Sequence, residues 1–196
     1  TLVGDLLTLA QLEGSPRPPA DHWIALDPLL ARIAADAQAL SNGRHELICE
    51  RQTGVELAGV ETEVLSSIAN LMSNAVRYTP EGGRIELQWR WLPDHGGEIS
   101  VIDNGPGIAR EHLPRLTERF YRVDGSRSRD TGGTGLGLSI VKHVVQRHGG
   151  ELRIESEPGK GSKFKLVFPA ARIRLVDASA MGDESAPAAL AGGEDL

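Results

Sequence analysis

The chain has 196 residues, of which 40% are hydrophobic and 24% charged, a composition typical of one globular domain with its own core. Its formal net charge of −6 disfavours a nucleic-acid-binding surface, which is normally basic. The single cysteine, Cys49, excludes an internal disulfide bond, and no apolar run approaches the roughly 18 residues of a transmembrane helix. Because Thr1 lies inside a helical pattern, we expect this soluble chain to be a piece of a longer protein.

The first 14 residues carry leucines and a valine at helical spacing, and Gly14-Ser15-Pro16 ends the pattern. A single helix of this kind cannot bury its apolar side alone. It either lies on the domain as a terminal helix or forms the end of a helical hairpin that dimerises. Residues 15–20 contain three prolines and are predicted to be a linker.

Residues 21–169 alternate between helix and strand patterns after a short extended piece near Trp23. Helices are predicted at about 27–40, where Asp27 and Pro28 have N-cap and first-turn chemistry, and at about 61–77 and 138–148. Strands are predicted at about 45–51, 84–91, 98–103, 152–154 and 164–168. This order predicts an α/β two-layer sandwich, with three helices covering one face of a mainly antiparallel sheet. Residues 170–196 lack apolar periodicity and are predicted to be a disordered acidic tail.

The helix at 61–77 has two distinct faces. One is apolar, and the other carries Asn70 and Asn74, one turn apart, with Arg77 and then Tyr78 following. Asparagine is a mediocre helix former, and a simple solvated face usually carries Lys and Glu instead. Two exposed asparagines without a role are the alternative. The pattern favours a polar helix face that points into a binding site.

Two glycine runs follow. Asp103-Asn104-Gly105-Pro106-Gly107 comes after a strand, and Gly132 to Leu138 leads directly into a helix. Glycine lets backbone N–H groups approach an anion, and a helix N-terminus adds partial positive charge. Ordinary tight turns have the same appearance, so the neighbouring side chains matter. Amide oxygens suit Mg²⁺, the Asp103 carboxylate can accept from an exocyclic amine, and Arg122 is a forked phosphate donor.

Four segments resemble, in order, the motifs of the sensor histidine kinase catalytic domain. They are the asparagine box Asn70-Leu71-Met72-Ser73-Asn74-Ala75, the first glycine box Asp103 to Gly107, the phenylalanine box Glu118-Arg119-Phe120-Tyr121-Arg122 and the second glycine box Gly133 to Leu138. The run from Leu116 to Asp124 resembles the phosphate regulon sensor kinases in particular. Residues 1–14 resemble the end of the dimerisation hairpin that precedes such domains. For residues 21–169, the resemblance implies the Bergerat fold shared with Hsp90, gyrase and mismatch-repair ATPases.

This resemblance also implies ATP and Mg²⁺ as cofactors, bound under a mobile lid between the glycine boxes. Asn74 would be the metal ligand and, with Arg122 at the γ-phosphate, a catalytic residue. Asp103 would read the adenine amine, Tyr78 would pack on the base, and Phe120 would anchor the lid. The implied nucleotide-binding residues are Asn70, Asn74, Arg77, Tyr78, Asp103, Gly105, Gly107, Ile108, Phe120, Arg122, Gly133, Thr134, Gly135, Leu136 and Gly137.

The family's phosphoacceptor is a histidine on a dimerisation hairpin, followed by an acidic residue. None of the six histidines here has that setting, and His143 and His148 are expected to be structural. The resemblance therefore implies a protein histidine kinase domain that phosphorylates a hairpin beyond this chain, within a homodimer. It further implies a response regulator receiver domain as partner, no nucleic acid, and a cytoplasmic position in a parent anchored in the bacterial inner membrane.

Three other functions fit parts of this pattern. A clamp ATPase of the gyrase or Hsp90 type would need a glutamate as general base one turn before the metal-binding asparagine, where this chain has Asn70. A serine kinase of regulatory proteins is disfavoured by the phenylalanine box and by the helical start of the chain. A nucleotide-sensing module without transfer activity is disfavoured because every motif is intact.

Overall fold

The computed structural model describes residues 1–123 and 133–176. The helices in this part of the chain are α1 (Leu2–Gly14), α2 (Leu26–Ser41), α3 (Glu61–Tyr78) and α4 (Gly137–Arg147). The strands are β1 (Trp23–Ala25), β2 (Glu46–Glu50), β3 (Val55–Ala58), β4 (Arg84–Trp91), β5 (Gly97–Asp103), β6 (Glu151–Glu157), β7 (Gly161–Phe168) and β8 (Ile173–Leu175).

The larger sheet has the strand order β2-β4-β5-β7-β6. β2 and β4 are parallel, and the other neighbours are antiparallel. In β4 the alternating residues Ile85, Leu87 and Trp89 are buried against the helices, as their period of two predicts. Trp91 continues this period and packs edge-to-face on Trp89, but it is 39% exposed because it ends the strand, and its Nε1 donates to Gln52 Oε1 (2.8 Å).

The helices α2, α3 and α4 cover one face of this sheet, with α3 packed between the other two. The apolar face of α3 joins the sheet in one core, through Val64, Ile68, Leu71, Met72, Ala75 and Val76. The predicted α/β two-layer sandwich is therefore confirmed. The predicted cap at Asp27 is wrong: Ala25 is the N-cap residue, and Asp27 lies in the first turn of α2, where its carboxylate pairs with Arg51 at 2.8 Å.

Helix α1 packs on α4, and its role as the end of a dimerisation hairpin stays a prediction. Leu9 and Leu12 are buried against α4 and the residue before it, in a second cluster with Leu136, Ile140 and Val144. The segment that follows α1 is held by two carbonyl groups. The Pro16 carbonyl accepts from Arg147 (2.5 Å), and the Pro18 carbonyl accepts from Arg172 (2.6 Å).

A small sheet, with the order β1-β3-β8, was not predicted. β8 and the 3-10 turn Ala170–Arg172 before it fall inside the segment 170–196, which was expected to be a disordered tail, so that boundary is wrong up to Val176. The reason is physical: a three-residue strand is too short to show a period and is stabilised by its ladder with β3. Residues 177–196 lie outside the described part of the chain.

A buried histidine links the end of α4 to the start of α3. His148 follows α4; its Nδ1 donates to the Val144 carbonyl (2.7 Å), and its Nε2 accepts from the Val60 backbone N–H (3.1 Å), just before α3. Burial lowers the pKa of this imidazole, and a second ring proton would face the Val60 N–H. His148 is thus a neutral structural link, as expected from the sequence.

Within residues 1–123 and 133–176, no helix has the length and apolar character needed to cross a bilayer.

We predict that truncation after Arg172 lowers the melting temperature by about 3–10 °C, because the buried Ile173 and the β3–β8 ladder are lost. Truncation after Val176 keeps β8 and is the matched control, for which we expect an unchanged melting temperature. Calorimetric melts of the two truncated chains test this, and equal melting temperatures would contradict a stabilising role for β8.

Candidate functional site

The polar face of α3 meets the start of α4. Asn70 and Asn74 are half-buried, and their side-chain amides form no hydrogen bond within the described residues. The Asn70 Oδ1 lies 3.9 Å from the position that a Cβ on Gly137 would take. Gly137 begins α4, whose N-cap, Leu136, supplies no side-chain cap. The free Asn70 amide therefore lies beside backbone N–H groups at a helix N-terminus, which favours an anion, and Asn74 lies one turn further along the same face of α3.

Two arginines converge on the second glycine run. Arg77 Nη1 and Arg122 Nη2 lie 2.9 and 3.4 Å from the position of a Cβ on Gly133. Tyr78, beside Arg77, is 54% exposed, and the Arg77 guanidinium carbon lies over its ring, 6.0 Å from the ring centroid. The structure thus brings the predicted residues of the asparagine box, the phenylalanine box and the second glycine box to one place.

Asp103 ends β5 opposite Ile85 and Ser162 in the sheet. Its Oδ1 accepts from the Gly105 backbone N–H at 3.0 Å. Burial raises the pKa of the Asp103 carboxyl, while hydrogen bonds from the backbone of Gly105 and Ser162 lower it in part. The carboxylate is therefore partly shielded from water, and a hydrogen bond that it accepts from a ligand amine is stronger there than in water.

A pair of serines beside Asp103 was not predicted from the sequence. Ser156 Oγ and Ser162 Oγ are 2.8 Å apart, and the Ile108 backbone N–H donates to Ser156 Oγ, also at 2.8 Å. The strand alternation that buries Leu166 and Phe168 places Ser162 on the same face, which was the available signal. The pair ties the segment after the first glycine run to the β6–β7 hairpin.

The glycines of the first run are needed for close backbone approach. Gly107 has φ +71°, and a Cβ there would overlap the carbonyl oxygen of Glu157. A Cβ on Gly105 would lie 3.0 Å from Asp103 Oδ1. Either side chain would displace groups that shape the site.

The Phe120 side chain is 55% exposed and does not attach this segment to the core, so the anchoring of the lid by Phe120 stays a prediction. The attachment is through the backbone instead: the Phe120 N–H donates to the Gly135 carbonyl at 3.0 Å. Gly135 has φ +77°, and a Cβ there would lie 2.9 Å from Phe120 Cα. Residues 124–132, the second half of the predicted lid, lie outside the described part of the chain.

Helix α1 also reaches the second glycine run, which the sequence did not indicate. The Thr134 hydroxyl donates to Asp5 Oδ2 at 2.7 Å. Nearer the end of α1, Glu13 forms an ion pair with Arg119, directly before Phe120. The first helix and the nucleotide-site loops are therefore connected by polar contacts as well as by the Leu9–Leu12 cluster.

Comparison with known proteins identifies the class. Residues 59–172 match the family of histidine kinase-, DNA gyrase B- and HSP90-like ATPases, and the chain belongs to that family. Its architecture is accordingly the Bergerat fold, and it is an ATP-binding domain. Both were expected from the four sequence motifs and are confirmed.

Among curated proteins, the chain is 51% identical to the phosphate regulon sensor protein PhoR of Pseudomonas aeruginosa over 173 residues, 88% of this chain and 39% of that protein. It is 40% identical to the sensor-like histidine kinase SenX3 of Mycolicibacterium smegmatis over 171 residues, 86% of this chain and 44% of that protein. The chain thus spans about two fifths of the length of these relatives.

Two solved structures are similar to this chain. The mycobacterial sensor histidine kinase MprB superposes with a TM-score of 0.68 at 27% identity, covering 76% of this chain and 97% of that one. Full-length ShkA, solved in complex with AMPPNP, superposes with a TM-score of 0.73 at 26% identity, covering 86% of this chain and 35% of that one.

We predict that Gly107→Ala destabilises the domain by about 2–4 kcal/mol, from its positive φ and from overlap with the Glu157 carbonyl. Gly159→Ala is the matched control: it has φ +81° but open space around the added Cβ, so it should cost only about 1–2 kcal/mol. Urea unfolding of both variants measures the difference. Equal losses would show that the close approach at Gly107 is unimportant.

Proposed function

We propose that this chain is the catalytic domain of a sensor histidine kinase, which transfers the γ-phosphate of ATP to a histidine on a separate dimerisation hairpin. The observation that carries the proposal is the convergence of free amides, arginines and a helix N-terminus at one site without a general base on α3. The carboxylates of α3 are Glu61 and Glu63, both in its first turn, and Glu63 is paired with Arg147 at 2.9 and 3.1 Å. Such a site suits phosphoryl transfer to a nucleophile supplied from outside better than hydrolysis by an activated water.

The adenine is proposed to lie at the end of β5. Asp103 would accept the exocyclic amine of adenine, and the exposed ring of Tyr78 would pack on the base. The half-buried carboxylate, held by the Gly105 N–H, supports this assignment, since its position is fixed before a ligand arrives. The phosphates would then extend toward the start of α4.

The site fits Mg²⁺ through its donor chemistry. Residues 1–123 and 133–176 contain no group of three or more His, Cys, Asp or Glu side chains that could hold a metal. Mg²⁺ commonly keeps several waters and takes substrate phosphates as ligands, so one or two amide oxygens suffice. Asn74 would hold the ion and Asn70 would support it. When bound, it would neutralise charge on the β- and γ-phosphates.

The remaining groups position the reaction. Arg122 and Arg77 would hold the γ-phosphate, and the N–H groups at the start of α4 would bind its oxygens. A hairpin histidine nitrogen then attacks the γ-phosphorus, the bond from that phosphorus to the β–γ bridging oxygen breaks, and ADP leaves. Alignment of the attacking nitrogen, rather than covalent chemistry by this domain, supplies most of the acceleration.

The histidines of this chain support an external acceptor. His45 and His148 are buried with both ring nitrogens hydrogen-bonded. His112 pairs with the Tyr121 hydroxyl at 2.5 Å, and His143 lies 3.7 Å from Glu13. None of these rings is offered to a phosphoryl group at the site.

The proposal for the parent protein follows from the relatives. Similarity to PhoR at 51% identity supports phosphate-starvation signalling, with transfer from the hairpin histidine to an aspartate of a response regulator receiver domain. We further propose that the parent is a homodimer anchored in the bacterial inner membrane, with this domain in the cytoplasm.

We predict that Asp103→Asn weakens ATP binding about ten- to hundredfold, by replacing a charged hydrogen-bond acceptor. Titration calorimetry with ATP and GTP measures it, and equal affinity of the unmodified chain for the two nucleotides would contradict the assignment to adenine. Asp94→Asn is a matched control, because Asp94 Oδ1 also accepts from the N–H two residues on (2.9 Å) but lies in the β4–β5 turn. Its ATP affinity should be unchanged.

A second prediction concerns transfer. Given labelled ATP, Mg²⁺ and a separate dimeric hairpin that bears the acceptor histidine, this chain should phosphorylate the hairpin, slowly because the two are unlinked. Asn74→Ala or removal of Mg²⁺ should abolish the label, whereas Ser66→Ala, at an exposed position of the same helix, should not. Acid-labile label on this chain alone would show that its own histidines are acceptors and overturn the proposal.

A further inference from the structure

Thr79 carries a buried hydroxyl without a partner. The residue directly follows α3 and is 4% exposed, and its Oγ1 makes no hydrogen bond to any group in residues 1–123 and 133–176. The only other buried side-chain atom of this kind in the described chain is Trp89 Nε1, which lies in the core. A buried hydroxyl without a partner is unfavourable, so it asks for an explanation.

The orientation of the side chain points this hydroxyl at the adenine end of the site. Thr79 Cγ2 is turned to Gly83, where an added Cβ would overlap it. Thr79 Oγ1 is turned to Gly105, at 3.3 Å from the position of a Cβ there, and that same position is 3.0 Å from Asp103 Oδ1. The hydroxyl and the carboxylate thus flank one glycine of the first glycine run.

The backbone around this hydroxyl is held on both sides. The Thr79 N–H donates to the Ala75 carbonyl at 3.0 Å, and the Thr79 carbonyl accepts from His45 Nε2 at 2.7 Å. The His45 ring is itself oriented by Ser41 Oγ, 2.8 Å from Nδ1. Because threonine is also stiff at χ1, the hydroxyl oxygen has a defined position before any ligand binds.

We propose that Thr79 is a specificity-determining residue for the nucleotide, whose hydroxyl hydrogen-bonds the edge of the purine next to the amine read by Asp103. This rests on the proposed placement of adenine at Asp103. Beside its amine donor, adenine presents a ring nitrogen that accepts, and a hydroxyl can donate to it. Carboxylate and hydroxyl together then match a donor at position 6 of the purine and an acceptor at position 1, which is the order in adenine, whereas guanine has an acceptor at position 6 and a donor at position 1.

The test uses Thr79→Val, which removes the hydroxyl and keeps the shape, and Thr79→Ser, which keeps the hydroxyl. In calorimetric titrations with ADP, Thr79→Val should weaken affinity about three- to tenfold, the loss of one neutral hydrogen bond, and Thr79→Ser should stay within about twofold of the unmodified chain. Without nucleotide, Thr79→Val should melt at the same temperature or higher, since no hydrogen bond is lost. A purely structural threonine would give the opposite result, a lower melting temperature with unchanged affinity.

Asp103→Asn in the same titration separates the two proposals. If Asp103→Asn weakens ADP binding and Thr79→Val does not, the role of Thr79 is wrong and the placement of adenine stands. If Asp103→Asn has no effect, the placement itself fails. In the double variant, losses that are not additive are expected when both side chains contact the same base edge, and strictly additive losses would contradict a shared ligand group.

Discussion

The burial of one side of α3 against the large sheet is the constraint on which the site depends. Ile68, Leu71 and Met72 are each at most 2% exposed in the core. A helix turns 100° per residue, so burial of this face determines the direction of the opposite one. Asn70 is thereby turned to the start of α4, and Asn74 lies one turn further along the same face of α3. A rotation by one residue would put an amide in the core and an aliphatic side chain at the proposed phosphate site, so the packing energy of the core also orients the polar face of α3.

The two glycine runs are held in place by close main-chain contacts. At Gly107 and Gly135 one stretch of main chain approaches another more closely than a side chain allows, beside Glu157 in one case and Phe120 in the other. These loops are therefore positioned by main-chain contacts, which leaves the neighbouring polar side chains available to a ligand. The exposed ring of Phe120 fits this picture, because its attachment to the second run does not require the side chain.

Helix α1 and the second glycine run are coupled. The Leu9–Leu12 cluster seats α1 on α4, Asp5 accepts from Thr134, and Glu13 pairs with Arg119. Moving α1 away would leave the Thr134 hydroxyl without this partner and would expose apolar side chains. A displacement of the first helix would therefore break contacts of the loop that is proposed to bind phosphate. This coupling exists only in the folded chain, where the two segments are in contact.

The sequence by itself determined the class of fold and most of the proposed site. Its periodicities predicted the helices α1 to α4 and the long strands, and its four motifs named the candidate residues around α3, because both signals lie in the local sequence. Tertiary structure decided what joins distant parts of the chain: the short ladder of β3 with β8, the serine pair beside Asp103, the contact of Asp5 with Thr134 and the unpartnered hydroxyl of Thr79. The ladder has no local signature, since a three-residue strand shows no period, and the serine pair and the contact of Asp5 with Thr134 join residues that only the fold brings together. Whether a buried hydroxyl finds a partner depends on which residues the packed core places around it.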